Sequence, residues 1–278
     1  MLRSRIQSGL LHKAGVRTFA SPVPSPSEIG ALHALMLDIG DPVWAFGPTA
    51  AALAGFDEFI VAAPFHLVTE RFRNVHRVGH YIHTVAALPL LDRGVAHGIA
   101  TTSATRTIVD LARHVSPALV TAALDSALRD GLTSEEFLHR RISSLRSKGR
   151  YGIPKLLAII EGSEASRGGH SWLERRFLQL VADAGLPRPE AQVVLSRSGQ
   201  RLIRVDCFFA EAALVVEVLG YRWHRTELQM SRDAERANRL MLDGQRMLQF
   251  TYSTIAEHPE RVMVDLSEAL FGPVGLSA

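Results

Sequence analysis

Two carboxylates stand inside apolar runs that read as β-strands. Asp206 lies between Val205 and Cys207 in Ile203–Phe209, and Glu217 interrupts the run Ala213–Leu219. A carboxylate placed in a buried strand is costly unless it is paired or bound to a cation. Two of them on adjacent strands can converge on one hard cation, and oxygen ligands with retained waters are what magnesium prefers. A divalent ion held there would activate water and neutralise charge on a phosphodiester in its transition state.

Positioning two strands in this way needs a small sheet and helices to cover it. Ser171 opens a helix whose apolar residues Leu173, Phe177, Leu180, Val181 and Ala184 recur at helical spacing, and Gly185 and Pro187 end it. The two apolar runs, joined by a short turn, have the signature of a hairpin. A helix over about Glu227–Leu242 with Gly244 as its stop, a strand Arg246–Thr251 and a last helix entered at Pro259 complete the succession α-β-β-α-β-α. This is an α+β or α/β domain with a small central sheet.

With these elements in place, the chain resembles a known group. Ser171-x-x-Glu174-Arg-Arg-Phe177, Arg204-Val-Asp206, Val216-Glu217-Val-Leu-Gly220, Trp223-His224, Arg232-Asp233-x-x-Arg236 and Gly244-x-x-Met-Leu-Gln-Phe250 look like the endonuclease-like domain related to very-short-patch-repair nucleases, common in actinobacteria. The resemblance covers residues 165–271. It implies a PD-(D/E)XK-type restriction-endonuclease-like fold, nucleic-acid phosphodiesters as substrate and magnesium as the metal. It makes Asp206 and Glu217 the metal ligands, Glu174 an accessory acid and His224 a proton acceptor or water-positioning group. Relatives usually carry Asp two residues after the strand glutamate, in Glu-x-Asp-Gly, where this chain has Leu219. Residues i and i+2 on a strand share a face, and leucine neither binds metal nor moves a proton, so weak or absent catalysis is expected.

The same residues also have structural readings. Glu174, three residues after Ser171, can complete a capping box. Asp233 and Arg236, at i and i+3, can form a surface ion pair of little energetic worth, with phosphate contact by Arg232 or Arg236 as the alternative. Trp223 reads as packing, and His224 serves either a structural hydrogen bond or catalysis.

The first half resembles a second family, the AbiEi-type antitoxins of type IV toxin-antitoxin systems, over residues 1–160. The carriers are Thr101-Thr-Ser-Ala-Thr-Arg106-Thr-Ile-Val-Asp110-Leu-Ala and the strand-rich stretch holding Val75-His76-Arg77. Such proteins start with a winged-helix DNA reader. Here Leu2–Gly9 looks like its recognition helix and Leu10–Ala20, turning at Ala14-Gly15, like its wing, with Arg3 and Arg5 as phosphate or groove contacts. The helices that should precede these are missing, so residues 1–20 read as a partial winged helix. The Pro-rich stretch Ser21–Ser27 is a linker, and an AbiEi-like α+β domain over 27–160 follows. It is expected to carry a helix capped by Ser27, strands over 43–46 and 58–69 with a short helix between them, and an exposed strand over Val75–Thr84. Helices capped at Thr102 or Ser103, at Ser116 and at Thr133, the last with Glu136 as its capping-box partner, complete it. A second boundary is expected around Gly149–Gly169. Arg106 and Asp110 form an i, i+4 salt bridge, and His66, His76, His80 and His83 read as surface or loop histidines, with His76 and His80 on one strand face and His83 on the other.

Composition narrows the function classes. The chain has 278 residues, 47% of them hydrophobic and 21% charged, which excludes wholesale disorder. It has no apolar run of the roughly 18 residues a membrane span requires. Cys207 is the single cysteine, which excludes intrachain disulfides and multi-cysteine metal sites. With no signal-peptide pattern at the start, a cytoplasmic setting is expected. The formal charge of +3 is concentrated in Arg3, Arg5, Lys13 and Arg17, with no acid before Glu28. No lysine follows Lys155, so lysine-dependent nuclease chemistry is excluded. DNA is the expected partner, with a cognate toxin as a further one. Two functions follow: a magnesium-dependent endonuclease-like enzyme, or a non-catalytic DNA-binding, antitoxin-like regulator that keeps the fold as a scaffold.

Overall fold

The computed structural model describes residues 2–13, 15–21, 27–71, 75–146, 152–167, 171–198, 201–220 and 227–272. The fold is mixed α+β, as expected, and divides into two compact units: residues 1–142 with 149–153, and residues 143–148 with 154–278. Among the described residues no helix is long and apolar enough to cross a membrane.

The first unit opens with the short helix α1 (Leu2–Gln7) and the antiparallel pair β1 (His12–Lys13) and β2 (Phe19–Ala20), the helix and hairpin expected there. α1 buries none of its residues. The hairpin is tied to α2 (Glu28–Ile39) through buried Asp38, which accepts the backbone N–H groups of Arg17 and Thr18 and, at 2.6 Å, Arg77 Nε. Ser27 caps α2 by accepting from Gly30 N–H. The linker expected at 21–27 falls largely on residues outside those described.

β3 (Val43–Ala45), α3 (Gly47–Leu53), β4 (His66–Glu70), β5 (Tyr81–Val85), β6 (Arg93–Ala96) and β7 (Ile99–Thr102) follow. Their sheet has the order β5-β4-β3-β7-β6, with β3 parallel to β7 and β4 parallel to β5. The strand expected over 58–69 is confined to its last part, since Pro64 has no N–H to give a ladder. The strand expected over Val75–Thr84 starts only at Tyr81. The β6–β7 hairpin was not legible: its two-residue turn is His97-Gly98, with φ of 52° and 74°. Such a turn needs two positive φ values, normally signalled by Asn-Gly or Asp-Gly.

α4 (Ala104–His114), α5 (Pro117–Arg129) and α6 (Glu135–Leu145) begin at capping serines. Ser103 and Ser116 cap the first two, as expected. For α6 the cap is Ser134, whose Oγ accepts from Phe137 N–H at 3.2 Å, and not Thr133. Thr133 instead hydrogen-bonds Thr105 Oγ1 at 2.7 Å. The Arg106–Asp110 pair forms as expected, at 2.6 Å, but Arg106 also reaches Asp92, which in turn holds Arg141.

α7 (Gly152–Arg167) runs unbroken through most of the stretch expected to be a boundary. The second unit continues with α8 (Trp172–Asp183), β8 (Glu190–Ser198), β9 (Arg201–Phe209), β10 (Leu214–Leu219), α9 (Glu227–Leu242), β11 (Arg246–Thr251), α10 (Tyr252–Glu257) and α11 (Pro259–Phe271). The sheet order is β11-β10-β9-β8; β8, β9 and β10 form an antiparallel meander and β11 lies parallel to β10. The expected succession lacked β8, whose Glu190, Gln192, Ser196, Arg197 and Ser198 hide any apolar alternation. Beneath the sheet Phe177 stacks on Phe250 and Trp172 packs against Tyr252. Ile203, Val205, Val215 and Leu240 bury a second apolar cluster.

Candidate functional site

Asp206 and Glu217 stand on neighbouring strands where the β9–β10 ladder ends. The ladder pairs Leu214 with Phe209, Val215 with Phe208 and Val216 with Cys207. One step further the Asp206 carboxylate itself takes a backbone donor, with Val218 N–H donating to Oδ2 at 2.9 Å. Continuing the register sets Asp206 opposite Glu217, on neighbouring strands and at one level. On the other side of β9, Ala191 pairs with Cys207 and Val193 with Val205, so Gln192 falls beside Asp206. Glu217 is paired across β11 with Gln249. Gln192, Asp206, Glu217 and Gln249 therefore lie at about the same level on four successive strands.

α8 supplies the next group. Ser171 caps this helix by accepting from Glu174 N–H at 3.2 Å, and its hydroxyl donates back to Glu174 Oε1 at 3.3 Å. Glu174 thus touches the capping hydroxyl, and its carboxylate also meets β8: Gln192 Nε2 donates to Glu174 Oε2 at 3.1 Å and lies 3.5 Å from Asp206 Oδ1. Gln192 adopts φ 54° to do this, a left-handed backbone that costs a non-glycine residue energy and tends to persist at functional sites. Sequence reasoning missed Gln192, since nothing marked its stretch as a strand.

Glu217 is 6% exposed and accepts from Arg236 Nη2 at 2.7 Å. The same nitrogen donates to the carbonyl of Arg204 on β9. Arg236 therefore turns from α9 into the site. Burial pushes the Asp206 carboxyl up; the neighbouring Glu174 charge adds to this, against the Val218 N–H, Arg236 and Gln192. Burial and the three carboxylates push the Cys207 thiol up to about 12, which keeps it protonated and unreactive.

His224 and Trp223 lie outside the described residues, as does the side chain of Arg232. Arg3 and Arg5 are exposed on α1 in the first unit. The residues brought together are Glu174, Asp206, Glu217 and Arg236, with Gln192 added.

Among the described residues no three His, Cys, Asp or Glu side chains form a ready-made metal cage. Magnesium, however, is usually held by one or two carboxylates with waters and substrate phosphates completing its shell. Asp206 and Glu217, on neighbouring strands at the end of the ladder, are the two carboxylates that could meet that demand.

The histidines of the first unit group differently from the expectation. His76 is exposed, and His80 Nδ1 accepts from Phe65 N–H at 3.1 Å. His66 Nδ1 and His83 Nε2 lie 3.3 Å apart, and the His83 ring also meets Phe46 and His114, the last of which sequence reasoning did not include. Burial holds His83 down to about 4, helped by the positive fields of His114, His66 and Arg113, and burial also lowers His66. Above pH 6.5 these imidazoles are neutral folded or unfolded. As pH falls from 6.5 towards 4 the unfolded chain takes up protons first, so folded stability is lost across that window. Urea melts at pH 7 and pH 5 are expected to show this loss, and His83→Gln to reduce it; an equal pH slope in the variant would show that His83 is not its source.

Against known proteins, no family model matches the chain and no solved structure matches it. Two proteins of Mycobacterium tuberculosis, from strains CDC 1551 / Oshkosh and H37Rv and both described as uncharacterized, are 28% identical to it over 248 residues. The match covers 88% of this chain and 88% of theirs. That span is longer than either unit, so the similarity includes both.

Proposed function

We propose that the second unit is a magnesium-dependent endonuclease-like module acting on DNA phosphodiesters, with hydrolysis slowed by Leu219. The observation that carries this reading is that Asp206 and Glu217 stand on neighbouring strands where their ladder ends, with Glu174 joined to Asp206 through Gln192 and the Arg236 charge acting on both strand acids. The succession of helix, three-stranded meander, helix and parallel fourth strand supports a PD-(D/E)XK-type fold, as the sequence resemblance implies; fold alone does not establish chemistry.

In this reading Asp206 and Glu217 hold the ion, which when bound supplies charge neutralisation at the phosphate and an acidified water. The Val218 N–H fixes the Asp206 carboxylate in place. Glu174, oriented by Ser171 and Gln192, adds an acceptor at the edge of the site, and His224 is the remaining candidate for moving a proton. Leu219, two residues from Glu217 on β10, offers neither ligand nor base.

The second reading is a non-catalytic, antitoxin-like DNA-binding regulator, paired with a cognate toxin. It is favoured by Leu219 and by a Glu217 whose charge Arg236 already offsets. In this reading the exposed Arg3 and Arg5 of α1 meet phosphate.

A supercoiled-plasmid nicking assay with magnesium or manganese separates the two. Wild type is expected to nick slowly, and Asp206→Ala and Glu217→Ala to lose roughly a hundredfold or more. Nicking that persists in both variants would sink the enzymatic reading. No nicking by wild type, with DNA affinity that falls steeply with salt, would establish the regulator instead.

A further inference from the structure

The Arg236 guanidinium lies against the carboxylate that the proposed function assigns to a metal ion. Nη2 is committed twice, to Glu217 Oε1 at 2.7 Å and to the Arg204 carbonyl. Glu217 is buried, whereas the Arg236 side chain is 36% exposed. Neither Nε nor Nη1 donates a hydrogen bond among the described residues. The group thus has one nitrogen that neutralises Glu217, while its side chain stays partly exposed and its other two nitrogens are uncommitted among the described residues. A guanidinium is always charged and its fork matches phosphate oxygens.

A divalent cation ligated by Glu217 would sit within a few ångströms of this fixed positive charge, at a site of reduced dielectric where repulsion is strong. Phosphate and Glu217 are both anions, and both suit the same guanidinium.

We propose that Arg236 gates metal entry: it neutralises Glu217 while nucleic acid is absent, and a nucleic-acid phosphate draws it off so that the carboxylate can accept the ion. This rests on the metal-binding reading of Asp206 and Glu217 and adds an order to it, nucleic acid before metal. The coupling is reciprocal, so bound metal must raise affinity for nucleic acid by the same factor.

The test is a calorimetric titration of the full chain with manganese alone, for wild type, Arg236→Gln and Arg236→Lys. Arg236→Gln is expected to bind manganese roughly tenfold more tightly than wild type, and Arg236→Lys, a point charge without the fork, to fall between them. A short single-stranded oligonucleotide is expected to tighten manganese binding to wild type and to leave Arg236→Gln unchanged. Equal manganese affinity in all three proteins, or the same oligonucleotide effect in each, overturns the gate and leaves the metal site standing. No manganese binding by any of them overturns the metal reading and the gate with it. If melting curves show Arg236→Gln to be unfolded, Arg236→Lys carries the test: affinity equal to or weaker than wild type overturns the gate.

Discussion

Replacing Asp92 by Ala is expected to destabilise the first unit by about 3–5 kcal/mol, the range for breaking a buried ion pair from one side. Asp92 is 0% exposed and accepts from two guanidiniums: Arg106 Nη1 at 2.7 Å, and Arg141 through Nε at 2.7 Å and Nη2 at 2.6 Å. Arg106 is itself buried and gives its Nε to Asp110 at 2.6 Å. Burial pushes the Asp92 carboxyl up, but the hydrogen bonds and charges of Arg141 and Arg106 outweigh it and hold the group below the usual carboxylate range. Truncation to Ala would leave both cations without their shared anion, one of them in the core. Asp92 also lies where three elements meet: it precedes β6, Arg106 is on α4 and Arg141 on α6. Its backbone carbonyl accepts from Ser103 N–H at 2.8 Å, beside the α4 cap. Equilibrium urea unfolding of Asp92→Ala measures the loss directly. A change below about 1 kcal/mol, the worth of an exposed pair, would mean that water reaches this network. Removing charge from both sides, as in Asp92→Leu with Arg106→Met, is expected to recover part of the stability, since apolar replacement of a whole buried pair is often neutral or better.

This network shows how far the sequence carried. The Arg106–Asp110 pair was legible because i and i+4 are neighbours on any helix. Asp92 and Arg141 were not, because nothing local joins residues 14 and 35 positions from Arg106. The same division holds in the second unit. Asp206 and Glu217 announced themselves as charges in apolar strands, and Ser171 as a cap, because burial and capping are imposed by neighbouring residues. Gln192 escaped because its backbone sits in the left-handed region within a polar strand, and only pairing with β9 makes that strand. Arg236 was read against Asp233 on its own helix or against phosphate, and its bond to Glu217 was not legible because 19 residues separate the two. The histidines divided likewise: His66 and His83 were counted with their neighbours in sequence, while His114 joins them only through the packing of α4.

The largest effect on chemistry is expected from Leu219→Asp. Leu219 is half-buried at the end of β10, two residues from Glu217 and paired across the ladder with Thr251. On a regular strand that spacing returns a side chain to the same face, and half-burial leaves room for an ionised group to stay hydrated. A carboxylate there would add a third acid beside Asp206 and Glu217, strengthening the pull on a divalent ion and supplying a proton acceptor near the attacking water. General-base assistance contributes about a hundredfold or more to hydrolysis, so plasmid nicking by Leu219→Asp is expected to exceed that of wild type by about two orders of magnitude, with tighter manganese binding by calorimetry. Leu219→Asn, similar in size and uncharged, should give neither. Adding Asp206→Ala to Leu219→Asp should abolish both gains, because the new carboxylate cannot hold the ion alone. Unchanged affinity in Leu219→Asp would place residue 219 outside the site. Tighter metal binding without faster cleavage would mean that the missing function is not a carboxylate at 219, and would leave the scaffold reading as the stronger of the two.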